Sequence, residues 1–126
     1  KLKHELAKRY MRVGKIDGAI PLLQQASSDN RIQNNVLVDL GKCFAAAKQS
    51  ELALRQFTKA IPNINPQDKA ELLTEAHYLA GRLSEELGKR EEAENHYGEV
   101  IAINYAYKDA RKRLERLQKG GGGDGE

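Results

Sequence analysis

The chain has 126 residues, of which 40% are hydrophobic and 31% charged, with a net charge of +3 and a single cysteine, Cys43. That length suits one domain with a sizeable core, and a lone thiol excludes an internal disulfide. No apolar run approaches the roughly 20 residues of a membrane span, and no signal peptide opens the sequence.

The first residue is not methionine, and the opening KLKHELAKRYM already reads as helix interior, so the expectation is a fragment of a longer protein. Apolar residues at three- and four-residue steps predict a first helix over Leu2 to Val13, with Leu6, Tyr10 and Val13 on one face. Its partner covers Asp17 to Ala26, with Pro21 placed near the first turn, where lost amide donors matter least. A polar turn, Ser27 to Asn30, leads to a second pair over Gln33 to Ala47 and Ser50 to Ile61.

The stretch Ile61 to Asp68 then holds Pro62 and Pro66. Asn65 is placed to cap the next helix, Pro66 to open it and Asp68 to meet its positive first turn. Leu72, Ala76, Leu79, Ala80, Leu83 and Leu87 extend one apolar face, which predicts a helix of about 22 residues. A sixth helix follows over Lys89 to Ile103 and a seventh over Tyr107 to Lys119, and the glycine-rich residues 120–126 read as a flexible tail.

These elements repeat. Leu40, Gly41, Phe44, Ala53, Phe57 and Ala60 recur 34 residues upstream as Leu6, Ala7, Tyr10, Ala19, Leu23 and Ala26. They recur 40 residues downstream as Ala80, Gly81, Ser84, Ala93, Tyr97 and Val100. A period of this size marks a stack of helix pairs. Ala7, Gly41 and Gly81 each precede Ala19, Ala53 and Ala93 by twelve residues, so the two helices of a pair touch through small residues, with bulky side chains filling in around them. Gly14 and Gly88 stand where the first helix of a pair stops; Lys48 takes that place in the middle copy, whose turn must be made without glycine.

On these residues the chain resembles a tetratricopeptide-repeat array over about Lys1 to Tyr105. LAKRY with GAIPLLQQA, and LGKCF with LALRQFTKA, carry nearly every position of the family pattern. The third copy departs from it at His77, where a large apolar residue is usual, and at Ser84, where an aromatic is. The resemblance implies an all-α fold: a right-handed superhelical solenoid of antiparallel helix pairs with about seven helices. It would form one domain over residues 1–119, with repeats at 1–33, 34–65 and 66–105 and a capping helix at 107–119.

No catalytic constellation is present: there is no GxSxG, no HExxH and no phosphate loop. His4, His77 and His96 lack metal-ligand spacing on one helix and have no second cysteine to join, so neither enzyme activity nor a metal or other cofactor is expected. Cys43, beside Gly41 and Phe44, reads as a buried small hydrophobe, and a reducing, cytoplasmic setting is compatible with it.

Charge is uneven. Lys1, Lys3, Lys8, Arg9, Arg12 and Lys15 face only Glu5 near the start, residues 107–119 are also basic, and residues 68–99 are acidic. Without aromatic residues interleaved among these cations, nucleic-acid binding is not expected, and polyanion binding by the basic termini stands as a lesser alternative.

Lys8, Lys42 and Arg82 each follow the small contact residue of a first helix. In the resembled family that position lines the concave groove, so the resemblance implies a ladder of three cations flanked by His4, Met11, Val38, Ala45, Tyr78 and Glu85. The plainer reading is that these cations lie along the surface and pair with nearby acids. The expected function is a non-catalytic scaffold that grips a partner protein or peptide segment, acidic in character. The alternative is a spacer or self-associating end of a longer solenoid. Family members that clamp the acidic C-terminal tails of heat-shock chaperones use lysine, asparagine and arginine at positions held here by His4, Lys8, Asp39, Glu75 and Leu79. Two acids and an apolar residue oppose that activity.

Overall fold

The structure is a computed structural model that describes residues 1–123, the side chains of residues 121–123 excepted. The last part of the expected glycine-rich tail, residues 124–126, lies outside the described residues. Among the described residues there are seven α-helices and one short 3-10 helix. The chain divides into two compact units, Lys1–Ile64 and Asn65–Glu126, with the boundary at the join between the second and third repeats.

The first unit holds α1 (Leu2–Arg12), α2 (Ile16–Ala26), α3 (Gln33–Ala46), α4 (Ser50–Ala60) and the 3-10 turn Ile61–Asn63. Helix α1 packs on α2, α2 on α3 and α3 on α4. Ala7, Ala19, Leu23, Ala26, Val36, Leu40 and Cys43 make one buried cluster, closed at its edges by Tyr10, Met11 and Phe44. Cys43 is fully buried, and desolvation pushes its thiol up to about 11, which makes it an inert core residue. Pro21 falls in the second turn of α2 rather than the first, so the helix runs through it. Both Pro21 and Asp17, whose carbonyl the missing amide would have met, are exposed, and water can serve that carbonyl.

The second unit holds α5 (Ala70–Glu86), α6 (Arg90–Ile103) and α7 (Ala110–Gly123). Tyr78, Ala93, Tyr97, Val100 and Ala110 form its buried cluster, with Leu79, Ile101, Tyr107, Leu114 and Leu117 packed against it. The fully buried rings of Phe57 in one unit and Tyr97 in the other each replace the space a side chain would occupy on the facing helix. A Cβ built on Gly41 would stand 2.7 Å from Phe57 Cζ, and one built on Gly81 2.7 Å from Tyr97 Cε1. The small-residue contact predicted from the sequence is therefore a ring-on-glycine contact in both repeats.

All three pairs turn in the same way. The amides of Gly14 and Lys15 bond the carbonyls of Met11 and Tyr10; those of Lys48 and Gln49 bond Ala45 and Phe44; those of Gly88 and Lys89 bond Glu85 and Ser84. This double bond with one left-handed residue is the Schellman motif. Lys48 takes the left-handed conformation at φ 65, beside 81 for Gly14 and 77 for Gly88, so the middle turn keeps the glycine geometry and bears the steric cost of a Cβ.

Two helix starts differ from expectation. Asn65 does cap a turn, its Oδ1 accepting from the amides of Gln67 and Asp68 at 2.8 and 3.2 Å, and Lys69 N–H donates to its carbonyl. The chain leaves helical geometry at Lys69 (φ −132), so α5 has 17 residues instead of about 22, and the turn before it is separate. Helix α7 likewise starts at Ala110 and not Tyr107, because Lys108 sits at φ 42. At its other end α7 continues past Lys119 to Gly123.

Candidate functional site

The residues singled out for partner binding fall in both units. In the first, α1 and α3 carry His4, Lys8, Met11, Val38 and Lys42. Two of the five are buried rather than presented: Val38 is 1% exposed, and His4 donates from Nε2 to Asp39 Oδ2 at 2.8 Å between α1 and α3. A carboxylate can only accept, so this bond fixes the proton on Nε2. Met11 packs at the edge of the core cluster. Lys8 Nζ lies 3.5 Å from Glu5 Oε2, one turn earlier on α1, and both side chains are well exposed. A pair of that kind contributes roughly 0.2–1 kcal/mol and leaves the lysine available to a stronger acid. Lys42 and Ala45 are half-buried on the same helix as Val38.

In the second unit, Tyr78 and Glu85 on α5 are held by Tyr107 and Asp109, just before α7, and by Arg113 in its first turn. Tyr78 Oη donates to Asp109 Oδ1 at 2.6 Å, and its ring meets Tyr107 edge-on with centroids 5.5 Å apart. Arg113 donates from Nε to Asp109 at 2.9 Å and from Nη1 to Glu85 Oε1 at 3.0 Å. The same Glu85 oxygen accepts from Tyr97 Oη on α6. One chain of charge-assisted bonds thus joins α5, α6 and α7. The Tyr78 bond first, and the Arg113 bond with it, hold Asp109 below the usual carboxylate range against the opposing effect of burial. Burial works against the Arg113 charge, but Glu85, Tyr97 and Asp109 together raise its pKa above the ordinary arginine value. Burial, then the Glu85 bond, raises the pKa of Tyr97.

Arg82 is the candidate in this unit that stays open. It is exposed, lies 6.0 Å from the Tyr78 ring centroid, and its Nη1 is 3.5 Å from Tyr78 Oη. Lys108 is beside the same ring, 5.3 Å from the Tyr78 centroid and 5.5 Å from that of Tyr107. Two cations on two different elements therefore converge on one tyrosine.

Sequence reasoning missed Lys108, Asp109 and Arg113 as members of this arrangement. It also missed a histidine pair: His77 Nδ1 and His96 Nδ1 are 3.0 Å apart between α5 and α6. Burial lowers the pKa of His77; burial first and His77 second lower that of His96 to about 4, against Glu92 and Glu99. Among the described residues no group of three or more His, Cys, Asp or Glu side chains is placed to hold a metal ion, and no helix is long and apolar enough to cross a membrane.

No protein-family model matches the chain, and no curated protein matches it significantly. Solved structures do. The first TPR of Spaghetti (RPAP3), bound to the HSP90 peptide SRMEEVD, superposes with a TM-score of 0.80 at 18% identity, covering 94% of this chain and 90% of that one. The NMR structure of the first TPR domain of the human RPAP3 protein gives 0.76 at 19% identity, covering 94% and 88%. The crystal structure of MamA gives 0.80 at 20% identity over 96% of this chain, which spans 63% of the MamA chain. With its three helix pairs, its glycine-seated rings and these superpositions, the chain has the tetratricopeptide-repeat fold.

Proposed function

We propose that the chain is a non-catalytic interaction module that holds an acidic polypeptide segment against the cation-bearing faces of its first helices. Lys8 and Lys42 would serve in the first unit, and Arg82 in the second, with Lys108 added to the set read from the sequence. The observation that carries this reading is the convergence of Arg82, on α5, and Lys108, from the segment before α7, on the Tyr78 ring, which gathers two exposed positive charges beside one tyrosine. The peptide held by the RPAP3 domain lends support at the level of the fold.

The ligand is not a chaperone tail of that kind. At the positions that resemble the tail clamp, Asp39 is already bonded to His4, and Glu75 and Leu79 offer a peptide carboxylate no donor. The peptide SRMEEVD is therefore expected to bind weakly or not at all.

An array of extended peptides graded in Asp and Glu content tests the proposal, comparing the wild-type chain with the triple variant Lys8→Glu, Lys42→Glu, Arg82→Glu. Signal that rises with acidity and disappears in the variant supports it. Signal unchanged by the variant refutes it. Exposed charges contribute roughly 0.2–1 kcal/mol each, so the three together are worth about threefold to a hundredfold in affinity, reduced by salt.

A second reading, the end-cap of a longer solenoid, draws on α7. It turns Ala110, Leu114 and Leu117 to the core, and its exposed residues include Arg111, Lys112, Glu115 and Arg116. A terminal element that faces water needs that division.

A further inference from the structure

The two cations of the second unit reach the Tyr78 ring by different routes. Arg82 stands one turn after Tyr78 on α5, so the helix itself keeps its guanidinium beside the ring, 6.0 Å from the centroid. Lys108 lies between α6 and α7, outside both helices. Residues 104–106 and 108 are exposed, and Lys108 takes the left-handed conformation at φ 42, which is strained for any residue with a Cβ. Its Nζ nevertheless stands between two rings, 5.3 Å from the centroid of Tyr78 and 5.5 Å from that of Tyr107. The residue after it accounts for that placement. Asp109 immediately precedes α7, where an aspartate ordinarily accepts amide bonds from the first turn of its own helix. Here its carboxylate reaches sideways: Oδ1 accepts from Tyr78 Oη at 2.6 Å and Oδ2 from Arg113 Nε at 2.9 Å. Arg113 in turn donates to Glu85 on α5 at 3.0 Å. Two polar ties thus run from the start of α7 to α5, and Lys108 adjoins them through one peptide bond.

We propose that Asp109 is a positioning residue for the acidic-segment site: by holding the start of α7 against Tyr78, it delivers Lys108 to the ring and completes the cationic face. This rests on the assignment of Arg82 and Lys108 to an acidic ligand made above. Without the Asp109 tie the left-handed residue relaxes and its side chain leaves the ring, while Arg82 stays where α5 puts it. The ligand and α7 are then coupled, because a bound segment favours the docked helix by the same factor through which docking favours the segment. Charge alone gives Asp109 the opposite role. It is an acid bonded to the tyrosine that both cations meet, so it repels an acidic ligand, and its removal would tighten binding if it did nothing else.

The test uses a fluorescein-labelled, end-blocked peptide of alternating glutamate and serine, titrated with the full chain at low salt by fluorescence anisotropy. Lys108→Ala is expected to weaken binding about two- to fivefold, the range of one exposed charge. Asp109→Ala should weaken it by a similar factor, and should cost nothing further in a chain that already carries Lys108→Ala. Tyr78→Phe keeps the ring and every charge while removing one of the two Asp109 bonds, so it should weaken binding too. It decides the matter if circular dichroism shows Asp109→Ala to be unfolded. The peptide should also slow amide exchange along α7 in the wild-type chain and not in Lys108→Ala. Tighter or unchanged binding in either folded variant, or a further loss of equal size on top of Lys108→Ala, would overturn the proposal alone, provided that Arg82→Glu still weakens binding. A peptide indifferent to Arg82→Glu, or not bound by the wild-type chain, would remove the acidic-segment reading and this inference with it.

Discussion

The Tyr97 ring occupies the place of a side chain on Gly81: a Cβ there would be 2.7 Å from Tyr97 Cε1 and 3.0 Å from Cδ1. Tyr97 cannot retreat, because it is fully buried and its hydroxyl is bonded to Glu85. Gly81→Ala should therefore force α5 and α6 apart. Overpacking of this kind costs about 1–3 kcal/mol, which would exceed the small gain in helix propensity from alanine. A urea melt checks it, and an unchanged midpoint would mean that the ring has room the structure does not show.

Lys48 provides a change in the opposite direction. The turn after α3 needs a left-handed residue, and lysine supplies it at φ 65. Lys48→Gly removes the Cβ clash but adds freedom to the unfolded chain, so the net gain should be about 0.5–1 kcal/mol. Gly88→Ala, made at the equivalent turn, should cost a similar amount. The two thermal melts together separate left-handed strain from any loss of the lysine charge.

Ser84 occupies the aromatic position of the repeat, and its hydroxyl is fully buried with no hydrogen-bond partner among the described residues. An unpaired buried hydroxyl costs about 1–3 kcal/mol, while its removal leaves a gap of only one atom. Ser84→Ala should raise the stability of the second unit by about 1 kcal/mol, read from chemical denaturation. A loss of stability would show that the hydroxyl is paired after all.

Much of this was readable before any coordinates. The spacing marked Gly41 and Gly81 as points of close approach, although against Ala53 and Ala93 and not under the rings of Phe57 and Tyr97, and the breaks at Lys48 and Pro66 were marked, though their outcomes were not. Left-handed geometry at Lys48 is imposed by the hydrogen bonds of a repeated turn, which outweigh the preference of lysine. The α5 start is set by Lys69, whose amide goes to the Asn65 carbonyl, a choice that no propensity encodes. Of the candidate site, the exposed cations were legible because helix periodicity fixes them. Tyr78 and Glu85 were expected to face a groove; the structure ties them to Asp109 and Arg113, and only tertiary packing says so. The histidine pair had a signal that was passed over: aligning Gly81 with Ala93 across the antiparallel pair also brings His77 opposite His96.

That pair predicts a pH dependence. The rings are 3.0 Å apart at Nδ1, so one nitrogen must donate and the other accept, and a second proton would set two donors face to face. Both pKa values are lowered in the folded chain, that of His96 from 6.5 to about 4. Between these values the unfolded chain binds more protons than the folded one, so stability rises with pH across the interval and is lost as pH falls through it. Glu92 and Glu99 oppose the shift but do not cancel it. Denaturation at pH 7 and pH 5 should show the second unit weaker at pH 5, and His77→Phe should reduce the difference without abolishing it, because burial is the larger cause of the His96 shift. A loss of equal size in the variant would place the titration elsewhere.

The bond chain through Arg113 makes the last prediction. Arg113 and Glu85 are 19% and 24% exposed at their side chains, so the pair is screened only in part, and Asp109 leans on the same guanidinium. Arg113→Ala would leave two carboxylates near each other without their shared cation, at a cost of about 1–3 kcal/mol. Most of that cost should fall on the attachment of α7, since Asp109 and Arg113 lie at its start and the apolar contacts of Leu114 and Leu117 lie further along. Hydrogen exchange is then expected to speed up along α7 and near Tyr78 while the first unit keeps its protection. Arg113→Lys should restore little, because one ammonium group cannot reproduce the separate Nε and Nη1 bonds to Asp109 and Glu85. If exchange rose evenly across α5, α6 and α7 instead, Arg113 would be supporting the whole unit rather than fastening its last helix.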